Sequence, residues 1–188
     1  MRIPVLGMDP SFRNWGLAEG SLDLETGMLY DLNLTVVETE VDDRKQVRQN
    51  SKDLIASEQL AKTIFQIARK AKIVFAEIPV GSQSAAAMKG YGVCVGIMGV
   101  LKAQGIQIIE VSPTEVKQVF TGNKNATKEQ MISTALQWYP EANFPRERGK
   151  ATGKVIAKAE HVADAIAAIH AGVSTPVFSN LIQLLSKV

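Results

Sequence analysis

The sequence predicts an α/β fold in which one mixed, five-stranded sheet carries helices on both faces. Three observations predict it: the chain opens with a strand and a hairpin, it then alternates helix, strand, helix and strand, and it ends in helices. Strand–helix–strand connections of this length join parallel neighbours through right-handed crossovers, whereas the hairpin is antiparallel and belongs at one edge. We expect a single domain that spans residues 1–188.

The first three strands come from short apolar or alternating runs. Residues 3–9 are mostly apolar and stop at Pro10. Residues 15–22 and 27–37 alternate around a turn at 25–27, which is typical of a hairpin.

A long helix and a buried strand come next. Apolar residues recur at three- and four-residue intervals between 51 and 72, and this period predicts a helix. Residues 73–76 are apolar and β-rich, as in a central strand covered on both faces, and Pro79 stops that strand just beyond Glu77. A carboxylate therefore stands at the end of a buried strand.

The rest of the chain is mainly helical. The pattern predicts helices over 83–104, 113–120, 127–139, 160–171 and 176–187, with one more strand over 106–111. The segment 140–158 contains prolines, glycines and five basic residues without apolar periodicity, so we expect a mobile loop there.

The composition narrows the possible chemistry. The chain contains 21 Lys and Arg against 19 Asp and Glu, with one cysteine and two histidines. The lone Cys94 excludes an internal disulfide framework and a zinc site built on several thiolates, so a metal would have to bind carboxylates. No run approaches the roughly 18 apolar residues of a transmembrane helix, and the N-terminal run is too short for a signal peptide. We expect a cytoplasmic protein without membrane contacts.

The net charge of +2 conceals regions of opposite sign. Residues 19–43 carry eight acids and no Lys or Arg, whereas residues 44–110 carry ten bases and four acids. Residues 111–158 carry eight bases and four acids. Because the positive charge is concentrated in these later regions, near-neutrality does not exclude contact with the phosphates of nucleic acid.

Three carboxylates are placed to meet at one edge of the sheet. Asp9 ends the first strand and Glu77 ends the fourth, and ligands of open α/β sheets gather at the carboxyl ends of strands. On the helix that starts at Glu160, His161 and Asp164 share a face beside the core stripe. Converging carboxylates repel unless a cation compensates them, and oxygen ligands suit Mg²⁺ or Mn²⁺. Two such ions promote phosphodiester cleavage, with His161 as a ligand or a proton-transfer group.

Each of these residues also has an ordinary structural interpretation. Asp9 before Pro10 can simply begin a turn, and Glu77 can be an exposed acid at a strand end. His161 can be a solvated residue near a helix N-terminus. Glu160 lies four residues before Asp164 and competes with it for the metal role.

Glycines recur between residues 90 and 99, but their spacing differs from that of a dinucleotide-binding fingerprint. They also do not form a turn that follows a strand. Small residues on this predicted helix instead suit close packing against another helix or another subunit.

Four segments resemble a known family in their order and spacing. They are Gly7–Gly16 (GMDPSFRNWG), Glu77 after its apolar strand, Ser112–Lys128, and His161–Ala167 (HVADAIA). Together they resemble the RuvC-type Holliday junction resolvases, whose fold is ribonuclease H-like. The resemblance covers nearly the whole chain. It implies a magnesium-dependent endonuclease that nicks branched DNA, above all four-way junctions, as a symmetric dimer.

The resemblance also implies roles for individual residues. It places Asp9, Glu77, His161 and Asp164 at catalytic, metal-binding positions, and the position of His161 is commonly Asp in the family. It places Lys117 and Lys128 beside the cleaved strand, where the ordinary interpretation is solvated helix charge. The basic residues of the loop are expected to follow the DNA backbone, namely Arg146, Arg148, Lys150, Lys154 and Lys158.

The segment 78–84 departs from the family because it lacks the aromatic residue that enters the junction centre in some cellular members. It is closer to phage-type members, and Pro79–Val80 is the remaining candidate for an apolar wedge. One alternative is therefore a flap, fork or broad branched-DNA nuclease, and another is a non-catalytic junction-binding protein. A third is an actin-like or sugar-kinase-like nucleotide binder, although such proteins need two domains around the nucleotide.

Overall fold

In the computed structural model, five strands form a mixed sheet in the order β3-β2-β1-β4-β5. The strands are β1 (Arg2–Asp9), β2 (Asn14–Asp23), β3 (Leu29–Glu38), β4 (Ile73–Glu77) and β5 (Ile108–Val111). The pairs β1–β2 and β2–β3 are antiparallel, whereas β1–β4 and β4–β5 are parallel. The predicted mixed sheet with a hairpin at one edge is confirmed. The structure describes residues 1–41, 44, 46–81, 84–147 and 153–185.

The helices begin and end close to the predicted positions. They are α1 (Gln49–Ala68), α2 (Ala85–Ala103), α3 (Pro113–Thr121), α4 (Lys128–Trp138), α5 (Ala159–Val173) and α6 (Pro176–Leu185). The first helix ends four residues earlier than predicted, because the Lys72 N–H donates to the Pro4 carbonyl at 2.8 Å and draws the chain into the sheet. The fifth strand starts two residues late, because the Ile106 N–H bonds back to the Leu101 carbonyl at 3.1 Å.

The sheet separates two hydrophobic cores. On one face α5 crosses the central strands, with α3 and α4 packed behind it. On the other face α1 and α2 cover side chains such as Leu6, Met8 and Val74. Most of α5 is buried because six of its fifteen residues are alanines, whose small side chains allow the helix to lie between the sheet and other helices.

Two glycines set the distance between α5 and the sheet. A Cβ atom on Gly7 in β1 would lie 2.0 Å from the Ala165 carbonyl oxygen, and one on Gly16 in β2 would lie 2.0 Å from the His161 carbonyl oxygen. No side chain fits at these distances. The two glycines thereby bring the first half of α5 against the end of β1, where Asp9 pairs with Gly16.

The loop before α5 is not unstructured at its two ends. Phe144 is buried in the core, and the Asn143 side-chain oxygen accepts a hydrogen bond of 2.7 Å from the Leu34 N–H in β3. Arg146 and Val155 form an antiparallel bridge that closes the base of the loop. The prediction of a mobile loop is wrong at these positions, because tertiary contacts rather than periodicity hold them.

Helix α2 exposes much of its apolar surface. By length and composition it could cross a membrane, but one such helix is a weak indication, and the predicted cytoplasmic location stays a prediction. No described atom beyond those of α2 itself lies within 4 Å of a Cβ placed on Gly92, Gly96 or Gly99. The prediction that these glycines pack closely against another helix of the chain is therefore wrong, and packing against another subunit stays a prediction.

Candidate active site

The ends of β1 and β4 place two carboxylates side by side. Asp9 is the last residue of β1 and Glu77 the last of β4, and these parallel neighbours are paired at Met8 and Ala76. Side chains alternate between the faces of a sheet, so Asp9 shares the face of Gly7, which contacts α5. Both carboxylates therefore lie at the sheet edge covered by the first turns of α5, as the sequence predicted.

His161 is held directly by Asp9. The His161 Nδ1 lies 2.7 Å from the Asp9 Oδ2, and the two side chains are 17% and 16% exposed. A carboxylate only accepts hydrogen bonds, so the Nδ1–H is the donor and a neutral ring leaves its lone pair on Nε2. The hydrogen bond to Asp9 raises the pKa of His161, against the opposing effect of burial.

Glu77 and Asp164 are electrostatically coupled to Asp9 and to each other. Burial first, and then the charges of Asp9 and Asp164, together raise the pKa of Glu77 to about 8. Burial first, and then the charges of Asp9 and Glu160, together raise the pKa of Asp164 to about 7. The four predicted residues thus share one partly buried cluster in which negative charge is costly.

Two lysines border this cluster. The charge of Lys117 on α3 lowers the pKa of both Glu77 and Asp164, although burial outweighs it. The Lys128 Nζ at the start of α4 donates to the Glu160 Oε1 at 2.9 Å. Glu160, which competed with Asp164 on sequence grounds, is therefore paired with Lys128, while its Oε1 also lies 3.7 Å from the His161 Nε2.

The described basic residues of the loop, Arg146, Lys154 and Lys158, precede α5 in the chain. The Arg146 Nη1 donates to the Gly153 carbonyl at 2.9 Å, so part of this guanidinium holds the loop itself. Lys158 forms an ion pair with Glu38, and Lys154 is exposed. Arg148 and Lys150 lie outside the described residues. Contact between these residues and DNA stays a prediction.

The carboxylate oxygens of the cluster are ligands that suit a hard divalent cation, but the side chains are not positioned around a common metal site. The Asp164 Oδ1 is buried and has no hydrogen-bond partner among the described residues, and a buried carboxylate oxygen left unpaired is costly. A cation would neutralise that oxygen and the repulsion that raises both carboxyl pKa values. In the described ranges, however, no three His, Cys, Asp or Glu side chains are arranged to hold a metal ion. Binding of a metal ion by all four residues therefore requires a different arrangement of these side chains.

Comparison with known proteins identifies the fold. No family model matches the sequence, and no curated protein sequence matches it. Among solved structures, Thermus thermophilus RuvC in complex with a Holliday junction substrate matches with a TM-score of 0.62 and 18% identity, over 95% of this chain and 96% of RuvC. The chain has the fold of RuvC. The predicted ribonuclease H-like sheet is thereby confirmed.

Two further structures support this fold. A second Thermus thermophilus RuvC structure matches with a TM-score of 0.57 and 18% identity, over 95% of this chain and 96% of RuvC. The fowlpox virus resolvase, in complex with its substrate Holliday junction DNA, matches with a TM-score of 0.52 and 13% identity. That match covers 95% of this chain and 99% of the viral chain. At these identities the likeness to RuvC shows the fold alone.

Two features of this site were not predicted from the sequence. The contact of Gly16 with the His161 backbone was not foreseen, although a glycine that pairs with a site aspartate in a hairpin is a usable signal. The pairing of Lys128 with Glu160 was not foreseen either, since no local pattern joins residues that are 32 positions apart.

Proposed function

We propose that this chain is a metal-dependent endonuclease that cuts branched DNA, with four-way junctions as its main substrate. The observation that carries the proposal is the cluster of Asp9, Glu77 and Asp164 beside His161, at the carboxyl edge of a RuvC-like sheet. Proteins that share this fold, Thermus thermophilus RuvC and the fowlpox virus resolvase, are complexed with Holliday junction DNA.

The chemistry of the cluster fits hydrolysis at a phosphate. Asp9, Glu77 and Asp164 would hold two Mg²⁺ ions, with Mn²⁺ as a substitute, and His161 would be a further ligand or move a proton at Nε2. A pair of such ions, when bound, activates a water molecule and stabilises the leaving oxygen. Three acidic side chains alone would repel a phosphodiester, so a nuclease role for this cluster requires the cations.

The residues around the cluster would position the DNA. Asp9 fixes the orientation of His161 through their 2.7 Å hydrogen bond. Lys117 offsets negative charge beside Glu77 and Asp164, as expected for a residue near a bound phosphate. The basic residues of the loop would contact the phosphates of the DNA backbone farther from the cleaved bond.

The test is cleavage of synthetic DNA by purified protein in Mg²⁺. Wild type is expected to cut a four-way junction and to leave a matched duplex intact, whereas Asp9→Asn binds the junction without cutting it. Equal cutting by wild type and Asp9→Asn would show that the site is elsewhere. Structure-selective binding by wild type without any cutting would instead favour a non-catalytic junction-binding protein.

One observation favours a broader nuclease as the second candidate. In the segment after β4, the described residues 78–81 contain no aromatic side chain, and Val80 is 77% exposed. An apolar side chain of this size unstacks bases less effectively than an aromatic ring. Rates on flap, fork and four-way substrates of matched sequence distinguish the two candidates, since a broad nuclease would cut all three at similar rates.

A homodimer is also part of the proposal. Helices α1 and α2 border an open apolar groove of about 660 Å³ in which Leu54 and Val100 are 71% and 59% exposed. Glu58 and Lys62 stand one turn apart along its α1 side. A second copy related by a two-fold axis could bury the groove and pair each Glu58 with Lys62 of the partner subunit.

Light scattering of the purified protein tests this interface. Wild type is expected to be a dimer, and Val100→Glu is expected to be a monomer because it places a charge in the groove. Val177→Glu on α6 is the matched control, since Val177 is 57% exposed but lies outside the groove. A monomeric wild type, or a Val100→Glu variant that stays dimeric, would contradict the interface.

A further inference from the structure

A second concave surface lies next to the candidate active site, and the proposed reaction does not use it. Its volume is about 430 Å³, within the range of roughly 300–1,000 Å³ that small-molecule sites occupy. The walls are the loop that follows β1, the segment that follows β4, and the first half of α2. We call this surface the aromatic cleft and define it by Ser11, Phe12, Arg13, Val80, Gly90 and Tyr91.

The residues of the aromatic cleft follow those of the carboxylate cluster closely along the chain. Phe12 follows Asp9 by three residues, and such a span covers at most about 11 Å between Cα atoms. Val80 follows Glu77 by three residues in the same way. The Cys94 thiol also lines the cleft, and the charge of Asp9 contributes to the raised pKa of that thiol. A nucleotide next to a phosphate held by the cluster is therefore within reach of the cleft.

The ring of Phe12 is held in place before any ligand binds. Its carbonyl accepts a hydrogen bond from the Thr39 hydroxyl at 3.4 Å, and its side chain packs against the core under α1 and α2. The Lys89 Nζ lies 5.9 Å from the ring centroid, and the same ammonium is fixed by Asp53 at 2.9 Å. A Cβ on Gly90 would lie only 3.4 Å from the Phe12 Cβ, so the glycine leaves room beside the ring.

Three polar side chains of the aromatic cleft are available to a ligand. In the part of the chain that the structure describes, the side chains of Ser11, Arg13 and Tyr91 have neither a hydrogen bond nor an ion pair. Arg13 is exposed at the rim, and Tyr91 is partly buried. The charge of Arg13 lowers the pKa of Asp53, but its guanidinium forms no direct ion pair with a described residue and suits a phosphate. An aromatic ring with a hydroxyl suits the face and edge of a base.

On the basis of the function proposed above, we infer that the aromatic cleft receives one unpaired nucleobase next to the cleaved phosphate. Phe12 and Tyr91 contact the faces of the base, and Arg13 contacts the flanking phosphate. Freeing a base costs least where the duplex is already interrupted, so the cleft selects substrates with unpaired or strained bases at the cut. Branched DNA offers such bases, whereas an intact duplex does not.

A double-mutant design tests the inference through binding, independently of cleavage. Four-way junctions are prepared with a single abasic site at each of three nucleotides on either side of the branch point. Their affinities for wild type and for Tyr91→Leu are measured in EDTA. We expect one abasic position to weaken wild-type binding about tenfold, as loss of one stacked base does. Tyr91→Leu should bind the intact junction about tenfold more weakly than wild type does. Its affinity should not fall further when the junction carries the abasic site at that position.

Two variants control for other effects of the substitution. Tyr91→Phe keeps the ring and is expected to keep the sensitivity to the abasic position. Tyr30→Leu removes a tyrosine on β3 that lies under Arg2, outside the cleft, and should bind like wild type. Thermal melts of all variants show whether each is folded.

The outcomes separate this inference from the proposed function. If no abasic position weakens binding, or if Tyr91→Leu keeps the wild-type sensitivity, the aromatic cleft holds no base, even if wild type cuts the junction. If the affinity losses caused by the abasic site and by Tyr91→Leu are not additive but no junction is cut in Mg²⁺, base binding in the cleft is supported and the nuclease proposal is wrong. If wild type does not bind junctions at all, both are wrong.

Discussion

At the scale of single residues, the site depends on contacts between distant parts of the chain. Asp9 and His161 are 152 positions apart, yet they share a hydrogen bond of 2.7 Å. Their membership of one site could be predicted, because strand ends and a helix face converge in an α/β sheet. Their bond to each other could not, because it depends on how closely α5 approaches β1, and no local pattern encodes that distance.

The raised pKa of Glu77 predicts how stability changes with pH in the metal-free protein. An unfolded Glu ionises near pH 4.3, whereas folded Glu77 keeps its proton up to about pH 8. Its contribution to stability is complete below the unfolded pKa and is lost as the pH rises towards 8, because ionisation then favours the unfolded chain. Because glutamine does not ionise, the Glu77→Gln variant does not lose this stability as the pH rises.

We therefore expect Glu77→Gln to melt about 3 °C or more above wild type at pH 8 in EDTA, and close to wild type at pH 5. Calorimetric melts at the two pH values measure the difference. Glu110→Gln is the control, since Glu110 is exposed and paired with Lys102, and its melting point should differ little at either pH. A Glu77→Gln variant that melts below wild type at pH 8 would contradict the assigned environment.

At the scale of elements, helices and strands follow the local pattern, and their distances follow from residues that look ordinary in the sequence. The hairpin, the buried fourth strand and α5 were all foreseeable from periodicity. The early end of α1 was not, because a hydrogen bond from Lys72 to Pro4 draws the chain into the sheet. The order at Phe144 was not foreseeable either, because one buried aromatic gives no period.

Gly16 is expected to be intolerant of any side chain. Its Cβ would lie 2.0 Å from a backbone oxygen of α5, so Gly16→Ala must push the helix away from β2. We expect a loss of stability of about 4 kcal/mol or more, or failure to fold. Denaturant unfolding measures the loss.

Gly99→Ala is the matched control for Gly16→Ala, and we expect it not to lower the stability of the protein. Nothing described beyond α2 itself lies within 4 Å of its Cβ, and Gly99 is an exposed position inside α2. Alanine is favoured over glycine in a helix by up to about 1 kcal/mol, so this variant should be at least as stable as wild type. Equal stability of Gly16→Ala and Gly99→Ala would contradict the close contact between α5 and the sheet.

At the scale of the whole molecule, the near-neutral charge of the chain is divided between regions of different sign. Four of the eight acidic residues between 19 and 43 lie on β2 and β3 at one edge of the sheet, namely Glu19, Asp23, Asp31 and Glu38. Lys117 and Lys128 lie beside the carboxylate cluster, and Lys154 belongs to the segment that leads into α5. A surface that binds DNA therefore needs no basic total, and the small number of Cys and His residues is consistent with carboxylate-bound Mg²⁺.

The proposed DNA surface predicts a particular salt dependence. Removing a lysine that contacts a phosphate should flatten the slope of log affinity against log salt concentration by about one unit. Lys154→Ala is expected to show this change in anisotropy titrations of a junction in EDTA. Lys102→Ala, which removes a lysine paired with Glu110, should leave the slope unchanged. Equal slopes for wild type and Lys154→Ala would show that Lys154 does not contact a DNA phosphate.

The most direct test of the nuclease site is single-turnover cleavage of a four-way junction in Mg²⁺ by Asp164→Asn and by the control Glu110→Gln. Asp164 is a largely enclosed member of the cluster, with one carboxylate oxygen buried, whereas Glu110 is an exposed acid on β5. We predict that Asp164→Asn loses about a hundredfold or more in rate with its junction affinity in EDTA retained, since a metal site supplies several kcal/mol to the transition state. Glu110→Gln should cut like wild type. An Asp164→Asn variant that cuts as fast as Glu110→Gln would contradict the carboxylate site.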